Sequence, residues 1–275
     1  MKNYYFFLLG LFLISCSSYS QNMNKTDLDL MNINGKVKSV NHYSIKFKNK
    51  NIDTTKFRLG ERTVYEFNKK GYKTARNKFY INPEYDSKQV FEYEKSKILK
   101  SSSSYSNDME FDSKSEYFYD NNGNLVKRLS KKLNGNFDSK WIYIYNESNL
   151  NVESRHFQWN DSTSTKSIYE YDSNSNKIKK IDYEWNEKIE STWIYEYNSN
   201  GSVEKAIELD INGNIVQTFR YHYDLFANRT KVISSKENIT TEFFYEYDSQ
   251  NNWIKRITKS NGQKIALTTR KIEYY

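Results

Sequence analysis

At 17% aromatic, 37% hydrophobic and 28% charged, the 275 residues carry too many rings and apolar side chains for a disordered chain. One Pro and nine Gly exclude collagen and Pro-rich linkers, and no shift in composition marks a second domain. A single Cys rules out an internal disulfide, and a formal net charge of +8 admits anionic partners.

The amino terminus reads as a targeting segment. Lys2 is followed by an apolar run of about ten residues that ends in Ser15, the pattern of a secretory signal peptide over residues 1–15. The run is too short to span a bilayer, which takes roughly 20 apolar residues. Leu13-Ile14-Ser15-Cys16 resembles the lipobox of bacterial lipoproteins, in which the Cys is diacylated and becomes the first mature residue. That resemblance makes Cys16 the lipidation site, with residues 16–32 as a polar tether and the acyl chains as the membrane contact. No acidic residue follows Cys16 closely, which by the same resemblance implies the bacterial outer membrane. Ordinary cleavage after Ser20, giving a periplasmic or secreted protein, is the alternative.

A 26-residue period organises the rest. Anchor rings recur at Phe67, Tyr93, Tyr119, Tyr145, Tyr171, Tyr197 and Tyr223, each 26 residues after the last, and Tyr247 follows after 24. Two places earlier stands a second ring, from Tyr65 and Phe91 through to Tyr245. Alternating segments such as Trp141-Ile142-Tyr143-Ile144-Tyr145 have the period of two of a strand. Asp120-Asn121-Asn122-Gly123 and Asn134-Gly135 supply residues that tolerate positive φ, so each unit is two antiparallel strands and two turns. Lys36–Lys48 and Lys271-Ile272-Glu273-Tyr274 read as half-unit caps on a single domain, residues 33–275. The expected fold is all-β: about eight tandem hairpin repeats in one curled or spiral sheet, because twist opposes a flat sheet of that width.

Tyr117-Phe118-Tyr119-Asp120-Asn121-Asn122-Gly123-Asn124 matches the Tyr-x-Tyr-Asp-x-x-Gly-Asn motif, so the units resemble the Tyr-Asp (YD) repeats of bacterial Rhs-type proteins over roughly residues 60–260. The family's large members wind such hairpins into a hollow shell around a toxin domain, and other members are linked to carbohydrate binding. The 26-residue unit is longer than theirs, and no toxin domain follows the array here, so an enclosed cargo is not expected.

Rings two apart share a face and form a ladder that is mainly core. Where tryptophans gather in the middle units, Trp141, Tyr143, Trp159, Tyr169, Trp185, Trp193 and Tyr195 are the candidate ligand contacts, stacking on a sugar or peptide. The opposite face carries Glu66, Glu92, Glu170, Glu196 and Glu246 against Lys127, Lys179, Lys205, Lys231 and Lys255. Repetition of this Glu column marks a solvated ion-pair face rather than a single catalytic pair. His42, His156 and His222 lack metal-ligand spacing, and no nucleophile elbow or phosphate loop is present, so neither catalytic residue, metal nor cofactor is expected. The function these features point to is a non-enzymatic cell-envelope scaffold that binds an envelope polysaccharide or protein, not nucleic acid. The alternative is a structural, assembly or toxin-immunity partner that docks through its sheet edges.

Overall fold

A computed structural model describes residues 25–47, 60–80, 86–95, 97–106, 110–158 and 163–275. Cys16, the signal segment and Trp159 lie outside them. Among the described residues one short helix, α1 (Asp27–Leu30), precedes eighteen strands. They are β1 (Val37–Lys46), β2 (Gly60–Phe67), β3 (Lys73–Phe79), β4 (Ser87–Glu94), β5 (Ile98–Tyr105) and β6 (Phe111–Tyr119). Then come β7 (Leu125–Lys132), β8 (Phe137–Tyr145), β9 (Asn151–Gln158), β10 (Thr163–Tyr171), β11 (Lys177–Tyr183) and β12 (Ile189–Tyr197). The last six are β13 (Val203–Leu209), β14 (Ile215–Tyr223), β15 (Arg229–Ser234), β16 (Ile239–Tyr247), β17 (Trp253–Ser260) and β18 (Gln263–Tyr274).

Each strand pairs antiparallel with its neighbours in sequence, and β1 pairs with both β2 and β18. The sheet is therefore a closed barrel, not the open curled or spiral sheet expected from the repeat. Closure has a visible cause in the register. Tyr65 pairs with Arg76 and Arg76 with Gln89, two residues before Phe91, the repeat equivalent of Tyr65. Trp193, Glu208 and Gln217 show the same drift against Phe219. Two residues of drift per two strands correspond to a tilt of about 35°, the range in which a sheet closes. The half units at the two ends do not cap edges; they pair with each other, from Val37↔Tyr274 to Lys46↔Ala266. Among the described strands no edge is left for docking by β-addition, so that form of the alternative function is removed.

The turns after the anchor rings share one geometry in seven of the eight units, the turn after Tyr93, with its positive φ at Lys95, being the exception. In Asp120–Gly123, Gly123 N donates to Asp120 O, Asp120 Oδ1 accepts from the N–H groups of Asn122 and Asn124, and Gly123 adopts φ +80°. This is a type I turn closed by a left-handed residue, and it leaves a bulge beside the anchor ring, as between Phe118 and Tyr119. The bulge ends the ladder early on the far side of the second strand, so β7–β8 pairing starts at Lys127 and leaves the Leu125 carbonyl beyond it. The next anchor ring supplies the partner. Tyr145 Oη donates to Leu125 O at 3.0 Å, and the same bond recurs from Tyr119 to Leu99, Tyr171 to Asn151, Tyr197 to Lys177 and Tyr223 to Val203.

Residues 25–32, expected in the tether, are folded. Thr26 caps α1 in a capping box with Asp29, and Asn32 at φ 52° lets Ile33 N bond to Leu28 O, so Leu28 and Ile33 meet. They are buried with Val37, Val40 and Phe67, against Tyr65, Ile272 and Tyr274. Leu28 N donates to Gly71 O at 3.2 Å and Asn32 Nδ2 to Phe226 O at 2.7 Å. Those bonds hold the β2–β3 and β14–β15 turns no more than about 17 Å apart, given about 1.5 Å of rise per helical residue. Along the wall the same turns are six strand spacings apart, about 29 Å. A link shorter than the arc lies on the concave side, so the ring-bearing face lines the barrel and α1 fills part of its mouth.

The outward face carries three of the ion pairs expected, Lys179–Glu170 at 2.9 Å and Lys205–Glu196 and Lys255–Glu246 at 2.7 Å, while Glu66 and Glu92 accept from Asn77 and Ser101 instead. Beside them runs an apolar row, Ile168↔Ile181, Ile194↔Ile207 and Phe244↔Ile257, followed by Lys166↔Tyr183 and Glu242↔Lys259. Charged residues interrupt this face on both sides of the row, whereas a membrane-spanning barrel carries an apolar band about 25 Å tall. No described helix is long and apolar enough to cross a membrane.

Candidate functional site

The inner wall is built in rings around the barrel, with cations set between aromatics. Nine residues after successive anchors stand Arg76, Ser102, Arg128, Ser154, Lys180, Ala206, Val232 and Arg256, cations mostly beside small residues that make room for them. Arg128 lies 5.9 Å from the centre of the Tyr117 ring, Lys177 4.3 Å from Tyr169, Arg229 4.5 Å from Tyr221, and Lys73 5.4 Å from Phe91. Among the described strand residues of this face the carboxylates are Glu61, Asp182 and Glu208, each already engaged. Glu61 pairs with Lys78 at 3.2 Å, Asp182 with Lys180 at 2.8 Å, and Glu208 with Gln217. A surface of π-faces and cations with few acids favours an elongated anionic ligand over a neutral or basic one.

The expected contact residues divide. Trp141 stacks on His156 at 4.1 Å and 12° and on Tyr143 at 6.2 Å, half-buried on the inner wall next to Arg128. Burial, with Arg128 nearby, holds His156 below the usual imidazole range, so it is neutral at pH 7 and stacks as a ring. Tyr169 is also on this wall. Trp193 and Tyr195 are there too, yet they pack on the buried cluster Ala206, Phe219, Tyr221 and Val232, with Trp193 stacked on Phe219 at 6.1 Å, so their faces are committed to the core. Trp185 does not join them: it is 68% exposed in the turn between β11 and β12. The tryptophans thus do not form one cluster, because the period of two sends Trp141 and Trp193 inward while Trp185 sits in a turn.

Trp185 belongs to another series. Leu133 in the β7–β8 turn and Ile211 in the β13–β14 turn, at the same place in the repeat, are 69% and 68% exposed, so exposed apolar side chains recur along the rim opposite α1 as a crest among the described residues. Sequence reasoning missed this crest and the cations facing the rings, although both recur at repeat spacing. It also missed the cluster of His42, Trp253, Arg256 and Arg270, whose members come from the two ends of the domain. The one local signal was Trp253, a large ring where other units have Leu99, Leu125, Asn151 or Val203. Among the described residues no group of His, Cys, Asp and Glu could hold a metal.

No family model matches the chain, and no curated protein does. Among solved structures it is similar to a porin-like protein from Bacteroides uniformis ATCC 8492, at 10% identity and a TM-score of 0.49, over 86% of this chain and 98% of that one. A porin-like protein from Bacteroides vulgatus ATCC 8482 is similar at 8% identity and a TM-score of 0.32, over 88% and 99%. The Photorhabdus luminescens Tc holotoxin pore is similar at 10% identity and a TM-score of 0.23, over 78% of this chain and 16% of that one. These likenesses are too distant to bear on what the barrel does.

Proposed function

We propose that the chain is a non-enzymatic scaffold of the bacterial cell envelope, lipid-anchored at Cys16, whose barrel wall binds an acidic polysaccharide. The observation that supports it is the inner face, where Trp141, Tyr143 and Tyr169 stand with Arg128 on one wall and carboxylates are few among the described residues. Each sugar ring stacks on an aromatic face, and each acid group meets a cation in a setting less screened than open water. The signal segment and the lipobox-like Leu13–Cys16 support the location, and the charged outward wall fits a barrel held at a membrane by acyl chains rather than inserted in it.

The test is binding of the full lipidated protein, in detergent, to an acidic and a neutral polysaccharide of equal length. The acidic one binds, and Arg128→Gln combined with Trp141→Ala weakens it at least tenfold while the fold, followed by circular dichroism, survives. Equal binding of both polymers, or an unaffected variant, refutes the reading. The crest of Leu133, Trp185 and Ile211 supports a second reading, an assembly or immunity partner docking by this rim. A stoichiometric protein partner lost on Trp185→Ser, with no polysaccharide bound, would favour that one.

A further inference from the structure

The seam where the barrel closes brings two arginines onto one ring, whereas Arg229, the other inner-wall arginine with an orphaned Nε, stands over Tyr221. Trp253, 6% exposed, lies on the inner face of β17. The Arg270 guanidinium stacks 3.5 Å from its ring centre, Arg256 stands 5.3 Å from the same centre, and the His42 ring meets it edge-on at 5.9 Å. The two guanidinium groups are therefore no farther apart than the sum of their distances to Trp253.

Like charges have been brought together here with three of their N–H donors unused. Arg270 Nε and Nη1 and Arg256 Nε are buried without a hydrogen-bond partner among the described residues, while the rest of the Arg256 guanidinium has the Tyr245 hydroxyl and a long contact from Nη2 to Thr268 Oγ1 at 3.5 Å. No ion pair reaches either side chain among the described residues; the nearby Glu61 is taken by Lys78 and Thr63. Elsewhere on this wall Arg128 spends its Nε and Nη2 on Ser115. Burial, with Arg256 beside it, lowers Arg270 to about 9, so it is still charged at pH 7, and burial with both arginines lowers His42 to about 4, so that ring is neutral. Buried, unpaired cations with orphaned N–H groups are unfavourable unless something supplies the anion and the acceptors.

We propose that Arg256 and Arg270, walled by His42 and Trp253, form an oxyanion site on the inner face of the β17–β18–β1 seam, for a carboxylate, sulfate or phosphate group. A guanidinium presents an N–H fork that matches the oxygens of such a group, which a lone chloride cannot bridge. Both arginines stand on the lumen-facing side of the sheet and are half-buried rather than sealed. An oxyanion arriving from there draws Arg270 off the Trp253 ring and gives its Nε–Nη edge the acceptors it lacks. The site stands whether or not the lumen takes a polysaccharide.

The test uses the full-length protein in detergent at constant ionic strength, with chloride exchanged for sulfate, phosphate or glucuronate and the melting temperature and tryptophan fluorescence followed. The expected result is a saturable rise of about 5 °C at a hundredfold excess over Kd, with a fluorescence change at the same midpoint. Response to glucuronate alone identifies a sugar acid as the ligand, and response to sulfate and phosphate identifies a free or esterified oxyanion; either supports the site. Arg270→Met removes the saturable response and, in chloride alone, melts at or above the wild type because an unpaired charge has gone. Arg270→Lys keeps the charge without the fork and weakens binding about tenfold. The proposal fails if the rise is linear and shared by Arg270→Met, which is general exclusion of salt, or if no anion has any effect.

Discussion

Replacing Tyr119, Tyr145, Tyr171, Tyr197 and Tyr223 by Phe tests what holds neighbouring units together. Each hydroxyl donates to a carbonyl 20 residues earlier, at 2.6 to 3.0 Å, where the ladder has already ended. Phe keeps the ring and its packing, so the change isolates the hydroxyl. Loss of one such bond, with a half-buried carbonyl left unpaired, costs about 1–2 kcal/mol. Successive anchors are two strands apart, about 10 Å, and effects at that separation add. All five changes then remove about 5–10 kcal/mol, comparable to the whole stability of an ordinary domain. Urea unfolding followed by circular dichroism should show small, similar losses for the single variants and an unfolded or barely folded quintuple variant. Tyr221→Phe is the control: its hydroxyl is buried with no partner among the described residues, and its removal should be neutral or stabilising. A quintuple variant that unfolds at the wild-type midpoint refutes the reasoning.

His42 gives the barrel an acid limit. Its folded value of about 4 lies below the ordinary 6.5, so the unfolded chain takes up a proton first and stability falls from about pH 6.5 down to about pH 4, by about 3 kcal/mol in all. His42→Gln should flatten that stretch of a stability-against-pH curve, and an unchanged slope would show that other groups cause it. Gly201 sits at φ +74° with nothing within 4 Å of an added Cβ, so Gly201→Ala should cost about 1–2 kcal/mol in thermal unfolding, from the backbone alone. The equivalent Ala227, at φ 58°, should gain by a similar amount when changed to Gly. Cys16→Ser should yield barrel that fractionates without detergent, and retention in the membrane pellet would contradict a water-facing wall.

The hairpins were legible because their signals are local. Asp120–Gly123 shapes its own turn, and Trp141 to Tyr145 alternates within one strand. Closure is a different kind of fact. It depends on a register drift that no single unit displays and on the pairing of His42 with Arg270, residues that share no short-range pattern. The same distance hid the oxyanion site, whose cations come from β17 and β18 and whose wall includes β1. The rings of the inner wall could be listed from the sequence, whereas which of them stay open depends on packing. Trp193 is spent on Phe219 and its buried cluster, while Trp141 stacks on His156 and Tyr143 outside that cluster.

Tyr275 N donates to Lys36 O at 2.9 Å, so β18 and β1 stand to each other as the two strands of one more hairpin whose turn has been left open. The ring has no privileged starting point: any of its turns could serve as the opening if a short linker joined Tyr275 to Lys36. A circular permutant opened at Asn212-Gly213 would present the same wall with its ends, and any anchor attached to them, on the opposite rim. The circumference is likewise quantised. An antiparallel ring closes only on an even number of strands, so such barrels can widen or narrow by whole 26-residue units but never by one strand.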